Sequence, residues 1–422
     1  MDYGCHHTKM MLVGYSSGRM RLNIHTSNLD YEDIHHKCQA AFIQDFMPKS
    51  EDQLNSFVTS NFEETLITYL ESYSFLTKLV WKNNTSASTL VSYLQTYDYS
   101  TAVGVLIPSI PGYHKFSGNS NREIYGYLKV KQAIRDNCDD NSNDLCSSPI
   151  VCQFSSMGSL SVPYLDKVAT AWNAAGELSP SSSSSKSSNI KKGLMSSKLL
   201  RIVWPTNEEI CNSVEGKAGG GSVPGRSKNL NKDFIQPKLY RWKSTSVSGD
   251  PLDKGMHIPH IKTYYQIDNE ENESMRWFVV SSHNLSKAAW GEIQNRYDQG
   301  EVITIQSWEL GVFVSPSTLG VDVMGPLLSS ANSNGHSLGG NSSSSQDPLD
   351  PKQLREQRLA RFGGGGRTDR RIEQEPQPKV ASSSSPTEMD PNQKNNQRSI
   401  IPIPYKFLPD KYESSDKAWV VD

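Results

Sequence analysis

The amino-terminal residues alternate between apolar and polar side chains in a way that predicts two β-strands joined by a turn. Residues 10–13 form an apolar run, and residues 16–18 supply a turn signal. Beyond the turn, Met20, Leu22 and Ile24 are separated by polar residues. Because successive side chains of a strand point to opposite faces, this alternation predicts a strand with one buried face.

Helix and strand patterns alternate through the rest of the chain. A helix is predicted to start near Asn61, where a capping residue and two acids precede an apolar face. Thr206 and Glu209 have capping-box spacing and predict another helix start. Further helices are predicted over 89–97, 122–134 and 162–175. Strands are predicted over 103–108, 150–154, 199–204, 264–267, 277–280 and 307–314. This mixture predicts an α/β fold.

Two low-complexity segments interrupt these patterns. Residues 179–197 are rich in serine, and residues 327–399 are rich in Ser, Asn, Gly, Gln and Pro, so both are predicted to be solvated insertions. Within the second, residues 361–367 combine arginine with glycine; they fit either a nucleic-acid contact or a disordered tether. The glycine run at 218–222 is predicted to end a helix. It is not a P-loop, because no Lys followed by Ser or Thr comes after it.

Length and composition narrow the class of protein. A chain of 422 residues accommodates two domains, and we place the boundary near residue 100, giving units 1–100 and 101–422. The net charge of −2 gives no global attraction to nucleic acid, so any anion binding must be local. The six cysteines lack Cys-x-x-Cys spacing, which argues against a zinc site or a disulfide framework. With neither a signal peptide nor an apolar run near 18 residues, the sequence predicts a soluble, intracellular protein.

The chemistry of the chain is concentrated in a triplet that occurs twice. His7 and Lys9 flank one residue, as do His260 and Lys262, and each triplet precedes strand-like residues that lead to Asn28 or Asn284. On a strand, residues two apart face the same side. Two such half-sites facing each other would surround one small volume with two imidazoles, two ammoniums and two amides.

That set of groups suits a phosphodiester. Lysines and amides stabilise charge on phosphate oxygens, while one imidazole attacks phosphorus and the other protonates the leaving oxygen, with no metal required. A single His-x-Lys triplet carries little weight, since a surface or core histidine is the default. Two copies in the same context are much harder to obtain by chance.

Other polar groups permit more than one interpretation. The hydroxyl-rich residues 155–159 follow a strand and fit either a phosphate-binding loop or an ordinary turn. His35 and His36 could be ligands, but the sequence favours a solvated helix face or loop for them. Glu309 lies in an apolar strand, where a carboxylate needs a partner such as a protonated imidazole.

At these motifs the chain closely resembles the tyrosyl-DNA phosphodiesterase family of the phospholipase D superfamily. Most superfamily members carry an Asp five residues after the Lys, but here those positions are Gly14 and Ile267. The Asn-containing variant therefore fits and an ordinary phospholipase does not. The segments that resemble the family are 6–11, 24–29, 153–160, 256–264, 284–291, 308–312 and 403–405.

The resemblance implies a fold and a set of roles. It implies two similar α/β halves, each a mixed sheet flanked by helices, with the active site between them. His7 is then expected to be the nucleophile, and His260 the acid and base. Lys9, Lys262, Asn28 and Asn284 are expected to hold the phosphate oxygens. Glu309 is expected to support His7, and Gln39 to support His260. The positions expected near the DNA strand are Ser156, Ser159, Ser286 and Lys287.

The resemblance also implies a biological setting. The expected substrate is single- or double-stranded DNA with a 3′-phosphotyrosyl end, carrying a peptide remnant of topoisomerase I. The expected protein is a nuclear DNA-repair enzyme, a monomer without cofactor or membrane contact. Six residues precede His7, so the first half is expected to be truncated. This leaves two alternatives: an inactive fragment that binds DNA or protein partners, and a general nuclease or phospholipase, which the missing Asp disfavours.

Overall fold

A computed structural model of the chain describes residues 4–56, 59–73, 80–82, 87–115, 124–138, 148–173, 196–242, 257–297, 299–326 and 398–422. They belong to one compact unit, Met1–Ser329 with Asn396–Asp422; a second unit, Ser330–Asn395, lies outside the described residues. Apart from their last residues, so do the predicted insertions at 179–197 and 327–399. Within the described ranges, no helix combines the length and apolar character needed to cross a membrane.

The described residues form a mixture of short strands and helices. The strands are β1 Cys5–His6, β2 Met10–Gly14, β3 Met20–His25, β4 Lys37–Cys38, β5 Ala41–Phe46, β6 Val80–Lys82, β7 Ala87–Thr89, β8 Val105–Ser109, β9 Gly112–Lys115, β10 Ile150–Gln153, β11 Leu200–Val203, β12 Leu239–Tyr240, β13 Ile258–Pro259, β14 Thr263–Asn269, β15 Ser274–Ser281, β16 Glu292–Arg296, β17 Gly300–Ile305, β18 Ser307–Val314, β19 Val323–Gly325 and β20 Arg398–Ile400. The helices are α1 Tyr31–His36, α2 Glu51–Asn55, α3 Asn61–Glu71, α4 Leu90–Leu94, α5 Gly126–Asn137, α6 Val162–Trp172, α7 Asn207–Cys211, α8 Gly216–Gly219, α9 Ser227–Leu230, α10 Lys287–Trp290 and α11 Pro316–Leu319. Single 3₁₀ turns cover Ser196–Leu199, Gly220–Ser222 and Gln236–Lys238.

A mixed sheet of eight strands forms the centre of the described structure. Its strand order is β1-β18-β15-β14-β10-β11-β12, with β8 also paired to β18. The pairs β1/β18, β10/β11 and β11/β12 are parallel, while β14 joins β10 and β15 in antiparallel pairs. Strands from the beginning and the end of the chain therefore lie in one sheet.

Both faces of this sheet are covered, because its central strands are apolar on both sides. All residues of β15 are buried. Trp277 packs into a core with Trp172 of α6 and Trp290 of α10, whereas Phe278 packs into a second core with Leu66 of α3. A strand buried on both faces reads as a continuous apolar run rather than an alternating one.

A three-stranded antiparallel sheet, β2-β3-β5, follows the amino-terminal motif. Met20, Leu22 and Ile24 point inward and are at most 1% exposed. The predicted hairpin and its half-buried strand are thus confirmed.

Most predicted elements are present, with shifted ends. The strand over 307–314 has the predicted bounds, and Thr206 with Glu209 forms the predicted capping box. The helix predicted to begin at residue 122 begins instead at Gly126, since Tyr125 is extended and Gly126 has a φ of +59°. The division into 1–100 and 101–422 stays a prediction.

The prediction for residues 218–222 was wrong. Helix α7 already ends at Cys211, and the glycines lie in α8 and the following 3₁₀ turn. The 3₁₀ turn packs closely against Trp419, leaving no room for a side chain at Gly220. Gly220 therefore serves a close approach rather than a helix end.

Candidate active site

Each His-x-Lys triplet leads into an antiparallel hairpin that returns the chain to the triplet. In the first hairpin, β2 and β3 pair so that the His25 amide donates to the Lys9 carbonyl (3.0 Å). In the second, β14 and β15 pair so that the Ser281 amide donates to the Lys262 carbonyl (3.1 Å). Asn28 and Asn284 each lie three residues beyond that point. The same local geometry thus places an asparagine three residues beyond the residue that pairs with the lysine of each triplet.

His7 is positioned by the edge of the central sheet. Strand β1 pairs in parallel with the start of β18, and the His7 amide donates to the Trp308 carbonyl (3.0 Å). This register brings His7 Nδ1 within 2.8 Å of Glu309 Oε2. Glu309 is 3% exposed and also accepts a hydrogen bond from Ser282 Oγ (2.5 Å). Because an ionised carboxylate only accepts, Nδ1 carries the proton and Nε2 keeps its lone pair for an electrophile.

His260 is positioned by a strand pair that joins the two motif regions of the chain. Strand β13 pairs with β4, and the amides of His260 and Ile261 both donate to the Cys38 carbonyl (3.1 and 2.8 Å). His260 Nδ1 then lies 3.3 Å from Gln39 Nε2 and 3.1 Å from Asp33 Oδ2. The pairing brings Gln39 to His260, as predicted from the resemblance.

Asp33 is the residue at this histidine that sequence reasoning missed. It lies in α1, within a segment interpreted as a solvated helix face or loop, yet it is 2% exposed. The signal that identifies it is an acid in the first turn of a short helix just after Asn28. Its burial could not be inferred, since α1 is too short to show a periodic apolar face.

The two lysines are arranged alike. Lys9 Nζ donates to the carbonyl of His7 (2.9 Å), and Lys262 Nζ donates to that of His260 (2.6 Å). Burial, followed by the charge of Lys9, lowers the pKa of Lys262 to about 7. Burial also lowers the pKa of Lys9, against the charges of Glu309 and Asp33. The two lysines are therefore close enough to affect each other, and both are also affected by the charges of Glu309 and Asp33.

The second histidine is electrostatically unlike a surface histidine. Burial, followed by the charge of Lys262, lowers the pKa of His260 to about 4, although the bond to Asp33 opposes the shift. Its ring is therefore neutral near pH 7 before any anion enters. A bound phosphate would oppose the effect of the lysines and favour the protonated ring.

The asparagine of the second motif is fixed by the loop at residues 155–159. Asn284 Oδ1 accepts hydrogen bonds from the amides of Ser155 (3.1 Å) and Ser156 (3.0 Å). These two amides therefore hold a side chain rather than standing ready for a phosphate. With its oxygen occupied, Asn284 has its two Nδ2 hydrogens left as donors.

The residues expected near a DNA strand lie in two groups. Ser156 is beside Asn284, and Ser159 is exposed near Lys232 Nζ (3.3 Å), a residue that the sequence analysis did not single out. Ser286 caps α10 by accepting from the Ala289 amide (3.2 Å), and Lys287 pairs with Glu292 (2.7 Å). In the absence of substrate, Ser286 and Lys287 thus already have protein partners.

A buried aromatic network supports the first triplet from behind. Thr8 Oγ1 bonds to Tyr69 OH, which lies 2.9 Å from Tyr73 OH. Tyr73 stacks on Trp308 at a centroid distance of 5.2 Å and meets the edge of His6. Helix α3 therefore anchors the residue between His7 and Lys9, which the sequence pattern did not indicate.

Comparison with known proteins gives a consistent result. The model of the tyrosyl-DNA phosphodiesterase family matches residues 1–413. Tyrosyl-DNA phosphodiesterase 1 of Arabidopsis thaliana is 29% identical, over 100% of this chain and 60% of the relative. Tyrosyl-DNA phosphodiesterase 1 of Drosophila melanogaster is 28% identical, over 74% of this chain and 50% of the relative. The chain thus spans less than two thirds of the length of both relatives.

A solved structure supports the fold. The crystal structure of yeast tyrosyl-DNA phosphodiesterase superposes with a TM-score of 0.52 at 18% identity, covering 74% of this chain and 67% of the yeast chain. This likeness confirms the predicted phospholipase D-like α/β fold. Since the family model matches nearly the whole sequence, the chain belongs to the tyrosyl-DNA phosphodiesterase family.

Proposed function

We propose that this chain hydrolyses 3′-phosphotyrosyl adducts at DNA ends through a covalent phosphohistidine, without a metal ion. The observation that carries the proposal is the arrangement of the two motif histidines. Each has a carboxylate on Nδ1 and a lysine that donates to the backbone carbonyl of that histidine, and the two lysines are close enough to interact electrostatically. Family membership supplies the substrate class.

In the first step, His7 Nε2 attacks phosphorus and the bond from phosphorus to the tyrosyl oxygen breaks. Glu309 accepts the Nδ1 hydrogen bond and stabilises the positive charge that grows on the His7 ring. His260 Nε2 gives its proton to the departing oxygen. Lys9, Lys262, Asn28 and Asn284 stabilise the charge on the phosphate oxygens.

In the second step, His260 acts as a base. Its Nε2 takes a proton from water as the water oxygen bonds to phosphorus and the bond to His7 Nε2 breaks, leaving a 3′-phosphate. Acid–base groups in such roles contribute roughly 10²- to 10⁴-fold each. Loss of His260 should therefore slow this step more than the first, because tyrosine is a tolerable leaving group.

The remaining contacts follow from the same arrangement. Ser156, Ser159, Ser286 and Lys287 are proposed to bind the DNA strand that leads to the scissile phosphate. The released group would be tyrosine or the peptide remnant of topoisomerase I. The proposed role is therefore DNA repair, and the proposed location is the nucleus. A monomer suffices, since both half-sites lie in one chain.

The test is a gel assay of the purified chain on a 3′-phosphotyrosyl oligonucleotide in EDTA. We expect conversion to a 3′-phosphate that His7→Ala abolishes and that His35→Ala, at an exposed histidine of α1, leaves unchanged. His260→Gln should accumulate a covalent protein–DNA adduct visible after denaturation.

Three results would contradict the proposal. Conversion that EDTA stops would indicate a metal nuclease. Turnover that survives His7→Ala would exclude the phosphohistidine. No turnover from a folded, soluble chain would favour the inactive, binding fragment instead.

A further inference from the structure

Asp33 holds a buried carboxylate at the centre of a small polar cluster. Its Oδ2 atom lies 3.1 Å from His260 Nδ1 and accepts the Asn28 amide (2.6 Å), while Oδ1 faces Lys37 Nζ (3.3 Å). Burial alone would raise the pKa of Asp33, but the hydrogen bonds from His260, Asn28 and Lys37 hold it well below its usual range. The carboxylate is therefore ionised and can only accept hydrogen bonds.

The orientation of the neighbouring Gln39 amide decides which residue accepts the hydrogen bond from His260 Nδ1. Gln39 Nε2 donates to the Asp33 carbonyl (3.0 Å), and Gln39 Oε1 accepts from Thr26 Oγ1 (2.7 Å). A flipped amide would set its oxygen against that carbonyl, where neither atom has a hydrogen. The group that Gln39 turns toward His260 Nδ1 is therefore a donor. It cannot accept a hydrogen bond from Nδ1 when that nitrogen carries a proton.

We propose that Asp33 is the positioning residue of His260, accepting its Nδ1–H and holding Nε2 toward the phosphate. In this arrangement Asp33 corresponds to Glu309 at His7, so each motif histidine has a buried carboxylate behind it. The proposal deepens the proposed function and rests on it for the roles of Nε2. Gln39 supports Asp33 by donating to its backbone carbonyl (3.0 Å).

The proton balance of the reaction is unchanged by this assignment. In the first step the Nε2 proton of His260 moves to the tyrosyl oxygen, and in the second Nε2 regains a proton from water. Asp33 neither gains nor loses a proton, and it stabilises the His260 imidazolium that exists before the first step and after the second. Its second acceptor bond, to the Asn28 amide, links the ring to a proposed phosphate ligand.

The first experiment reads the His260 tautomer without turnover. In ¹⁵N-labelled protein near pH 7, long-range proton–nitrogen correlations report which ring nitrogen carries hydrogen. His260→Gln identifies the signals by their loss. We expect hydrogen on Nδ1 and none on Nε2. The opposite tautomer would mean that Gln39 donates to Nδ1 and would overturn the proposal.

The second experiment is kinetic. Asp33→Asn should slow hydrolysis of the covalent adduct by roughly 10²-fold and change its pH profile, while Gln39→Ala should have a smaller effect on both. Asp45→Asn is the matched control, since Asp45 is also paired with cationic side chains, those of Arg19 and Arg21. It should behave as wild type.

A wild-type rate and pH profile for Asp33→Asn would contradict the assignment. If Asp33→Asn fails to fold, the tautomer of the wild-type ring still decides. If the whole chain is inactive, the proposed function fails in the gel assay while the tautomer measurement remains informative. The two failures are therefore distinguishable.

Discussion

The two nitrogens of each motif histidine have separate tasks in this site. Nδ1 of His7 meets Glu309, and Nδ1 of His260 meets Asp33, so in the proposed mechanism Nε2 of both rings is directed to the reacting atoms. A neutral imidazole has one donor and one acceptor nitrogen, and a carboxylate partner fixes which is which. The direction of reactivity is thus determined by two buried acids rather than by the histidines themselves.

Glu309→Gln tests this at the residue scale. The substitution keeps the size of the side chain but removes the charge that stabilises a positive His7 ring. We expect formation of the covalent adduct in a single turnover to slow by about 10²- to 10⁴-fold with the fold intact. Glu270→Gln is the control, since its pair with Arg201 is exposed and worth little. Equal rates for Glu309→Gln and wild type would exclude Glu309 as a partner in the reaction.

The site residues differ in how far sequence could predict them. The His-x-Lys triplets repeat, so their pairing with Asn28 and Asn284 was visible from spacing. Asp33 was not, because it belongs to a six-residue helix whose burial depends on strand pairing between β4 and β13. Long-range pairing of this kind leaves no periodic trace in the sequence.

At the scale of elements, the predicted patterns were reliable where a strand or helix has an apolar face of its own. Strand β3 and helix α6 are such cases, and both were predicted at nearly their observed positions. The pattern failed at β16 and β17, whose hairpin is half exposed. It also failed at the glycine run, where the cause is a contact with Trp419, some 200 residues away.

The glycine turn provides a prediction with an internal control. A Cβ on Gly220 would lie 2.1 Å from Trp419 Cζ2, whereas a Cβ on Gly221 would meet nothing within 4 Å. Gly220→Ala should therefore lower the free energy of unfolding by about 1–3 kcal/mol through overpacking. Gly221→Ala should leave it unchanged or raise it by up to about 1 kcal/mol. Urea unfolding of the two variants measures the difference, and equal stabilities would contradict the tight packing against Trp419.

At the scale of the whole molecule, the site exists because distant segments of the chain pair with each other as β-strands. His7 and Glu309 are separated by 302 residues, and Gln39 and His260 by 221. The parallel pairing of β1 with β18 closes the first of these distances, and the pairing of β13 with β4 closes the second. The site therefore depends on long-range pairs of the folded chain, and the ionisation of its groups contributes to the free energy of unfolding.

This coupling predicts how stability depends on pH. In the folded chain the pKa of His260 is lowered from 6.5 to about 4, chiefly by burial. Below pH 6.5 the unfolded chain therefore binds a proton that the folded chain does not, so the free energy of unfolding falls with falling pH. Above pH 5, Asp33 contributes little to this change, because its carboxyl, with an ordinary pKa of 3.8 that the fold lowers further, is ionised in both the unfolded and the folded chain.

Between pH 7.5 and pH 5, the His260 contribution amounts to a loss of roughly 2 kcal/mol. His260→Gln removes this titration, so its unfolding free energy should fall by about that much less over the same range. His283, whose pKa burial also lowers, is present in both proteins and cancels in the comparison. His35→Gln, at an exposed position, should keep the wild-type dependence. Urea unfolding of wild type and of each variant at pH 7.5 and pH 5 gives the free energies of unfolding. If this free energy changed equally with pH in wild type and in His260→Gln, His260 would not be held neutral by the fold.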